Sequence, residues 1–486
     1  MDPGTLPSAV TLTLGMLGFG KSALTKVRIL RQLLLTGRQT VVLDAQGENG
    51  QGEWADICQA LNITPVAFAP GSAARINVLD DIIPAPQREQ LLIALAEISC
   101  GQAMGPTQQY AIRRALNRLD EGAVLTELVA ELHAESDTDA DPTIPRIALS
   151  RYLDGDLAGL FDAPTQGMPD LDAPLIVFDF SAMDRNSPAL PAVMAVLGAW
   201  LEHAWIRPDR TWRTLVIEEA WHLLATPASA RLFQRLLKYS RRLHLSIDAV
   251  VHTLSDLNSE QAKDLVRLAG TRIIHQLPEE EARLVGTVCG LPAWAVKKIP
   301  ALGIGEAIWQ VGQTIDEVSC ILSAVEEALV STTKGREHLR DARPRTAVEQ
   351  QPGGEDGDDM EALARLITQP LPRPRDDDEL HAQIEAASEA GDWTRADLVA
   401  AIGEAHVLDI HGPGTHLAVQ WIEVRAHLAA LHDQSAVSCH LWMLAATQRL
   451  DALGQRPDEA EAEDCVDRAH HEWRALHADD PARAAR

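Results

Sequence analysis

The sequence GMLGFGKS at residues 15–22 constrains the fold of this chain more than any other feature. It matches the pattern G-x-x-x-x-G-K-[ST], in which glycines let successive backbone N–H groups turn toward phosphate oxygens. The preceding AVTLTLG alternates like a β-strand, and the following KSALTKVRILRQLLLTG carries apolar residues at helical spacing. A helix N-terminus also favours anions. The pattern therefore predicts a nucleoside triphosphate site between a strand and a helix.

Two side chains of this loop have an expected chemistry. Lys21 is expected to reach the β- and γ-phosphates of ATP, and the Ser22 hydroxyl is expected to bind Mg²⁺. The predicted nucleotide-binding residues of the segment are Gly15, Gly18, Phe19, Gly20, Lys21, Ser22 and Ala23.

Strand and helix patterns alternate on both sides of a helical stretch. The apolar runs QTVVLDA and TPVAFAP follow the loop's helix, and PLIVFDFS, TLVIEEA, LSIDAVVHT, TRIIHQL and GEAIWQV come later. Such alternation is typical of a mainly parallel sheet with helices on both faces. The sequence therefore predicts an α/β core that is interrupted by an all-α insertion.

Composition and pattern together divide the chain into five segments. The predicted α/β core occupies residues 1–85 and resumes at 166–331, around the insertion at 86–165. Residues 332–378 contain QPGGEDGDD and PLPRPRDDDE, which cannot bury enough apolar area to offset ordering entropy, so a linker is predicted. Residues 379–486 predict a helical C-terminal domain.

The run TLVIEEAWHLL supplies a second acidic element, because its apolar strand ends at Glu218 and Glu219. In P-loop ATPases the first acid supports Mg²⁺, usually through water, and the second polarises the attacking water. The first position is normally Asp, and the extra methylene of Glu218 pushes its carboxylate toward the metal. The structural alternative is a pair of exposed carboxylates at the start of a helix.

Several of these segments resemble one known family. VVLDAQGENGQ and VAFAPGSAARINVLD, with LVIEEAWHLLATPASARLFQRLLKYSRRLHLSIDAVVHTLSDL and LSAVEEALVSTTKG, are similar to motifs of the HerA/FtsK superfamily. The closest resemblance is to TraC-like assembly ATPases of conjugation and type IV secretion, and it covers about residues 10–335. It implies a RecA-like P-loop NTPase core.

The resemblance also implies roles for individual residues. Asp44 and Glu48 match an element after the second strand, with Glu48 facing the nucleotide. Glu218 matches the magnesium-supporting acid and Glu219 the catalytic base. Two consecutive arginines match the position of a finger that acts across a subunit interface, and a histidine replaces the usual sensor glutamine. These three residues are Arg241, Arg242 and His252.

The implied function is ATP hydrolysis that powers a conjugative transfer or type IV secretion-like machine. As in the family, we expect a homo-oligomer, and specifically a hexamer. The expected partners are membrane components of that machine, with DNA or protein as substrate. The family carries a large N-terminal docking domain, whereas this sequence starts about ten residues before its first core strand. We therefore expect either that this chain is the motor half of a split pair or that another protein supplies the docking surface.

The sequence is also compatible with two alternative functions. One is a DNA translocase or coupling protein of the same superfamily, although the net charge of -27 argues against a broadly basic nucleic-acid surface. The other is a regulatory module that binds nucleotide with little turnover, which the unusual Glu218 and His252 allow.

The composition of the chain indicates the cellular compartment in which it functions. Six scattered cysteines without a CxxC pair indicate a reducing compartment. The N-terminus has no signal-peptide pattern, and the longest apolar runs are too short to span a bilayer. We expect a cytoplasmic protein that reaches the inner face of the membrane through partners.

In the C-terminal domain, three tryptophans on predicted helices are expected to anchor the core: Trp421, Trp442 and Trp473.

Overall fold

The computed structural model describes residues 8–48, 51–69, 71–155, 157–206, 211–220, 227–253, 265–320, 322, 324–330, 377–411, 414–432 and 434–479. They belong to two compact units, one built on a β-sheet and one built from the C-terminal helices. The predicted linker lies outside the described residues up to position 376, and the next helix begins at Asp377.

The first unit contains a nine-stranded sheet and a separate two-stranded ribbon. The strands of the sheet are β1 (Val10–Leu14), β2 (Thr40–Asp44), β5 (Val66–Ala67), β6 (Leu175–Asp179), β7 (Arg213–Ile217), β8 (Leu245–Val251), β9 (Thr271–Ile274), β10 (Glu306–Val311) and β11 (Thr314–Ser319). The ribbon pairs β3 (Gly47–Glu48) with β4 (Gln51–Gly52).

The strand order is β11-β10-β9-β1-β8-β7-β2-β6-β5. From β9 to β5 all neighbours are parallel, whereas β10 and β11 are antiparallel additions at one edge. Strands β1, β2, β6, β7 and β8 are buried along their whole length, as apolar runs covered on both faces should be. Their carboxyl ends meet at one edge of the sheet, where ligands of such folds bind.

Helices connect and cover these strands. They are α1 (Lys21–Thr36), α2 (Ala55–Ala60), α3 (Ala85–Cys100), α4 (Pro106–Leu116), α5 (Leu125–His133), α6 (Thr143–Ser150), α7 (Ala189–Ala204), α8 (Pro227–Tyr239), α9 (Glu279–Cys289), α10 (Ala293–Lys298) and α11 (Ala324–Val330). The four helices α3–α6 lie where the helical insertion is predicted, and their apolar faces share one core with the sheet. The division of this unit into a core and an insertion stays a prediction.

The second unit contains residues 31–37 and five C-terminal helices. They are α12 (Asp377–Glu389), α13 (Trp393–His411), α14 (His416–Leu431), α15 (Ser435–Asp451) and α16 (Ala460–Asp479). Trp421 and Trp442 are buried in it as predicted, but the prediction for Trp473 is wrong, because 40% of its surface is exposed. Its position near the end of the last helix leaves no further element to cover it within the described residues.

The predicted α/β architecture is confirmed, with its parallel strands and its helical C-terminal region. Two details differ from the sequence pattern. Strand β5 is reduced to two residues at the sheet edge, and β11 was missed because its residues TIDEVS are mostly exposed and polar.

Candidate active site

The phosphate loop predicted at residues 15–22 begins where β1 ends, between β8 and β9. The Gly15 N–H donates to the His252 carbonyl at 3.1 Å, and the Met16 N–H donates to the Gln276 carbonyl at 2.9 Å. His252 directly follows β8, and Gln276 lies just beyond β9. The loop is therefore anchored on both strands that flank β1.

Two glycines of the loop hold positions that a side chain would not fit. Gly15 has φ +153°, and a Cβ there would lie 2.5 Å from the Cβ of His275. Gly20 has φ +94°, and a Cβ there would lie 3.3 Å from the backbone nitrogen of Gly305. Both positions therefore require glycine, because φ is positive and neighbouring residues come close to the loop.

The functional side chains of the loop lie at the start of α1. Lys21 is 5% exposed, and its Nζ donates to the Met16 carbonyl at 2.9 Å. Ser22 and Ala23 are half-buried in the same turn, and the Phe19 carbonyl accepts the Gly305 N–H at 3.5 Å. The ammonium group is therefore held inside the curve of the loop.

The acidic pair follows β7 at the same edge of the sheet. The Glu218 N–H continues the ladder to the Leu43 carbonyl at 3.0 Å. Glu219 has φ +56°, a left-handed conformation that is rare for a residue other than glycine. Both residues are buried, with 0% and 5% exposure. Backbone strain of this kind is concentrated at functional sites, so the turn at Glu219 points to a role for its side chain.

His252 joins the acidic pair to the loop. Its Nε2 lies 2.7 Å from Glu219 Oε1, while its carbonyl accepts the Gly15 N–H. One residue thus contacts both the predicted catalytic base and the first glycine of the loop. The structure brings together the predicted base, the predicted sensor and the phosphate loop.

Glu218 also belongs to a group of neighbouring titratable side chains, which we call the acidic cluster: Asp44, Glu53 and Glu218 with Lys26. Lys26 is 1% exposed, and its Nζ lies 3.5 Å from Glu53 Oε2. Trp54 connects two of the acids, because its backbone N–H donates to Asp44 Oδ2 at 3.0 Å and its indole Nε1–H donates to Glu218 Oε1 at 3.3 Å.

Burial raises the pKa of both inner carboxyls of the acidic cluster. The pKa of Glu218 rises to about 8, first through burial and then through Glu53 and Asp44. The pKa of Asp44 rises to about 7, again mainly through burial. In the protein alone, burial therefore favours the protonated form of Glu218, and a cation beside it favours the ionised form.

The residues predicted to hold Mg²⁺ fit that ion. Glu218 Oε2 is buried and has no hydrogen-bond partner among the residues that the structure describes. A buried carboxylate oxygen in this position can accept a hydrogen bond from a water in the metal's shell, as oxygen ligands and retained waters are typical of Mg²⁺. Ser22 supplies the hydroxyl at the start of α1.

Two predicted arginines lie away from this edge. Arg241 and Arg242 are exposed and precede β8, whereas His252 follows the same strand. The seven residues of β8 separate them from the site by roughly 20 Å at about 3.3 Å per residue. Within one chain they therefore lie at the opposite edge of the sheet from the acidic pair.

The backbone of Glu48 belongs to β3, but its side chain lies outside the described residues.

Sequence reasoning missed two residues of the site. One is Trp54, which ends a glycine-rich stretch and is nevertheless fully buried. The other is His275, which follows β9, packs against Gly15 and is also fully buried. Burial, and then nearby Lys21, lowers the pKa of His275 to about 4, so its ring is neutral at physiological pH. Its place directly after an apolar strand, like that of His252, is the signal that could have identified it.

Strand order, phosphate loop and acidic pair together define a RecA-like P-loop NTPase fold. The solved structure of VirB4 from Thermoanaerobacter pseudethanolicus matches it with a TM-score of 0.58 and 17% sequence identity, over 66% of this chain and 91% of that one. This similarity confirms the fold that the family resemblance implied.

Two other solved structures match with lower scores. The bacterial conjugative coupling protein TrwB gives a TM-score of 0.44 at 15% identity, over 65% of this chain and 85% of that one. The genome packaging NTPase B204 of Sulfolobus turreted icosahedral virus 2 gives 0.33 at 12% identity, over 65% of this chain and 100% of that one. No family model and no curated protein sequence matches this chain.

Proposed function

We propose that this protein is an ATP-hydrolysing motor of a conjugative transfer or type IV secretion-like system. The observation that carries the proposal is the contact between Glu219 and His252 in front of the phosphate loop, on a sheet that has the fold of VirB4. A carboxylate placed there by a strained turn is suited to orient a water molecule for attack on a phosphate.

Each residue of the site has a part in this proposal. Lys21 leaves the Met16 carbonyl and binds the β- and γ-phosphates, while the loop N–H groups bind the remaining phosphate oxygens. Glu219 accepts a hydrogen bond from the attacking water, and His252 holds the Glu219 carboxylate in place. Ser22 would hold Mg²⁺ directly and Glu218 would hold it through a water of its shell, and the ion would neutralise charge on the phosphates.

The proposal includes a ring of identical subunits, because Arg241 and Arg242 lie far from the acidic pair of their own chain. In a hexamer, Arg241 or Arg242 of a neighbouring copy stabilises the charge that develops on the phosphates. An arginine supplied across an interface is worth about 10³-fold or more in rate. Assembly of the ring then controls hydrolysis.

We place this motor at the cytoplasmic face of a membrane, bound to membrane components of the secretion machine. The described residues include no helix that is long and apolar enough to cross a bilayer. In this proposal membrane components of the machine hold the motor in place, and DNA or protein is the transported substrate.

Phosphate release from ATP tests the proposal with the variant Glu219→Gln. We expect the variant to bind ATP as the wild type does and to release phosphate about 10²- to 10⁴-fold more slowly, because it lacks the base. Glu317→Gln, at an exposed position on β11, is the matched control and should retain the wild-type rate. Equal phosphate release by wild type and Glu219→Gln at high protein concentration would rule out the motor.

The same assay separates the alternatives. Stimulation of turnover by added DNA would favour a DNA translocase or coupling protein over an assembly ATPase. Tight ATP binding without turnover, in the wild type as in Glu219→Gln, would identify a nucleotide-binding regulatory module.

A further inference from the structure

His244 adopts a left-handed backbone conformation, with φ +51°, in the turn that leads into β8. Within the part of the chain that the structure describes, Asn62 and Glu219 are the other residues besides glycine that have a positive φ. Such a conformation costs energy in a residue with a Cβ and persists where the surrounding structure requires it. His244 lies in the same turn as Arg241 and Arg242, at the opposite edge of the sheet from Glu219.

The backbone of this turn closes the end of α8 in a defined pattern. The His244 N–H donates to the Arg241 carbonyl at 3.2 Å, and the Leu245 N–H donates to the Ser240 carbonyl at 2.8 Å. These two bonds are those of a Schellman motif, in which the residue at the left-handed position is usually glycine. Glycine would therefore satisfy the backbone at position 244, so the histidine side chain has to be explained by its own contacts.

The ring of His244 contacts Trp212, which directly precedes β7. The two ring centres are 5.4 Å apart and the ring planes meet at 66°, an edge-to-face arrangement that aromatic rings favour. The backbone adds a second link, because the Arg213 N–H donates to the His244 carbonyl at 2.9 Å. Arg213 is 5% exposed, and its Nε–H donates to Gln39 Oε1 at 3.2 Å. The turn is thus attached to a firmly held part of the sheet.

The two arginines of this turn depend on its orientation. Arg241 and Arg242 are exposed and directly precede the residues that link the turn to the sheet. The reach of an exposed arginine is set first by the direction of its backbone. A displacement of about 1 Å can cost about 10²-fold in rate when a group acts on a reacting centre. A turn that could rotate about the end of α8 would therefore be a poor support for a catalytic arginine.

We propose that His244 and Trp212 are positioning residues, which fix the turn 240–244 so that its arginines reach the nucleotide site of a neighbouring subunit. This inference rests on the proposed function, and in particular on an arginine supplied across the subunit interface. Histidine stands in place of glycine because its ring contacts Trp212, which glycine cannot do. Both rings act through Arg241 or Arg242 and contact neither the phosphates nor the attacking water.

Complementation between two impaired chains tests this inference. The acceptor chain carries Arg241→Ala together with Arg242→Ala and keeps Glu219. The donor chain carries Glu219→Gln and keeps both arginines. Mixed in equal amounts, the two chains should release phosphate from ATP at least about tenfold faster than either chain alone, because donor arginines reach intact acceptor sites.

His244→Gly in the donor chain separates positioning from helix capping. We expect this donor to restore about tenfold less turnover, with an unchanged KM for ATP because the acceptor site is intact. The melting temperature of the variant should be equal to that of the parent donor or higher, since glycine is favoured at this position. Size-exclusion chromatography checks that the variant still assembles with the acceptor.

Substitutions of Trp212 in the donor chain test the ring contact itself. Trp212→Leu should cause the same loss as His244→Gly, and the two together should cause no greater loss than either alone. Trp212→Phe keeps an aromatic ring and should stay within about twofold of the unmodified donor. Trp294→Leu is the matched control, because Trp294 is 48% exposed and lies outside the turn, and it should also stay within about twofold.

Three results would overturn the inference. Full restoration by the donor with His244→Gly would show that His244 only ends the helix. Equal losses with Trp212→Phe and Trp212→Leu would show that the ring contact is not what matters. No restoration by the unmodified donor, with a wild type that releases phosphate, would show that these arginines do not act between subunits. The proposed ATPase activity itself fails only if the wild type releases no phosphate, which the same assay measures.

Discussion

Buried charges occur in both units of this protein, but the two groups are built in opposite ways. In the second unit, Arg449 is 5% exposed and pairs with Glu423 at 2.6 Å and with Glu461. We call these three residues the arginine cluster. The hydrogen bond with Glu423 raises the pKa of Arg449, and bonds to Gln455 and then Arg449 lower that of Glu461. The charged forms of Arg449 and Glu461 are therefore favoured.

In the acidic cluster of the first unit, burial favours the uncharged forms instead. Here burial raises the pKa of Asp44 and Glu218, so that both carboxyls hold their protons to a much higher pH than ordinary carboxyls do. Lys26 is the cation of this cluster, and Glu218 keeps an oxygen without a partner within the described part of the chain.

We infer from this difference that the arginine cluster has a structural role, whereas the acidic cluster has a functional one. A buried ion pair with its partners in place holds helices together without further chemistry. Carboxyls that are buried with few cations lower stability when ionised, and they are suited to a site that receives a cation and a phosphate. Substitutions in the two clusters should therefore differ in what they change, stability in one case and turnover in the other.

The largest expected effect is on stability, from Arg449→Met in the arginine cluster. Removing the arginine leaves Glu423 without its cation and should lower the stability of the second unit by about 3 kcal/mol, without slowing phosphate release. Hydrogen exchange of the amides in α14–α16 measures this loss locally. Arg456→Met is the control, because its side chain is 73% exposed and its removal should cost less than about 0.5 kcal/mol. Slower phosphate release in Arg449→Met would contradict the inference that the arginine cluster affects only stability.

A smaller effect is expected from Trp54→Phe in the acidic cluster. The variant loses the hydrogen bond from the indole to Glu218, and we expect kcat for ATP to fall about tenfold with KM nearly unchanged. Trp205→Phe is a matched control, because Trp205 is equally buried and its Nε1 has no hydrogen-bond partner among the described residues. Equal kcat in the two variants would show that Trp54 acts only through packing.

The smallest effect concerns pH. Asp44 and Glu218 have a higher pKa in the folded chain than in the unfolded chain, so the folded state binds more protons between about pH 4 and pH 7 to 8. Their contribution to stability is complete at low pH and is lost as the pH rises, with a slope of up to about 1.4 kcal/mol per pH unit for each group. Melting from pH 5.5 to 7.5 in the presence of a chelator should show a smaller decline for Glu218→Gln. An unchanged slope would mean that Glu218 does not titrate in this range.

The fold of the first unit could be predicted from its sequence because buried parallel strands leave continuous apolar runs. The runs VTLTL, TVVLD and LIVFD are the strands β1, β2 and β6. The edge strand β11 could not be found in this way, because an exposed strand carries no such run. The same reasoning explains the misassigned Trp473: helical spacing shows which residues share a face but not whether another helix covers it.

The site was predictable only where a motif places residues at fixed spacing. Gly15 to Ser22 and the pair Glu218–Glu219 fall in this class. The contacts of Trp54 with Glu218 and of His275 with Gly15 join residues 164 and 260 positions apart in the chain. Such contacts depend on strand order, which places β9 beside β1 and β7 beside β2. No local pattern in the sequence encodes that order.

A crystal structure of this chain with Mg²⁺ and a non-hydrolysable ATP analogue tests the central claim most directly. We predict that the phosphates lie in the loop at residues 15–22, that Lys21 Nζ has left the Met16 carbonyl for a phosphate oxygen, and that Glu219 faces the terminal phosphate with His252 beside it. An analogue bound elsewhere on the chain, or a Glu219 carboxylate directed away from the terminal phosphate, would contradict the account.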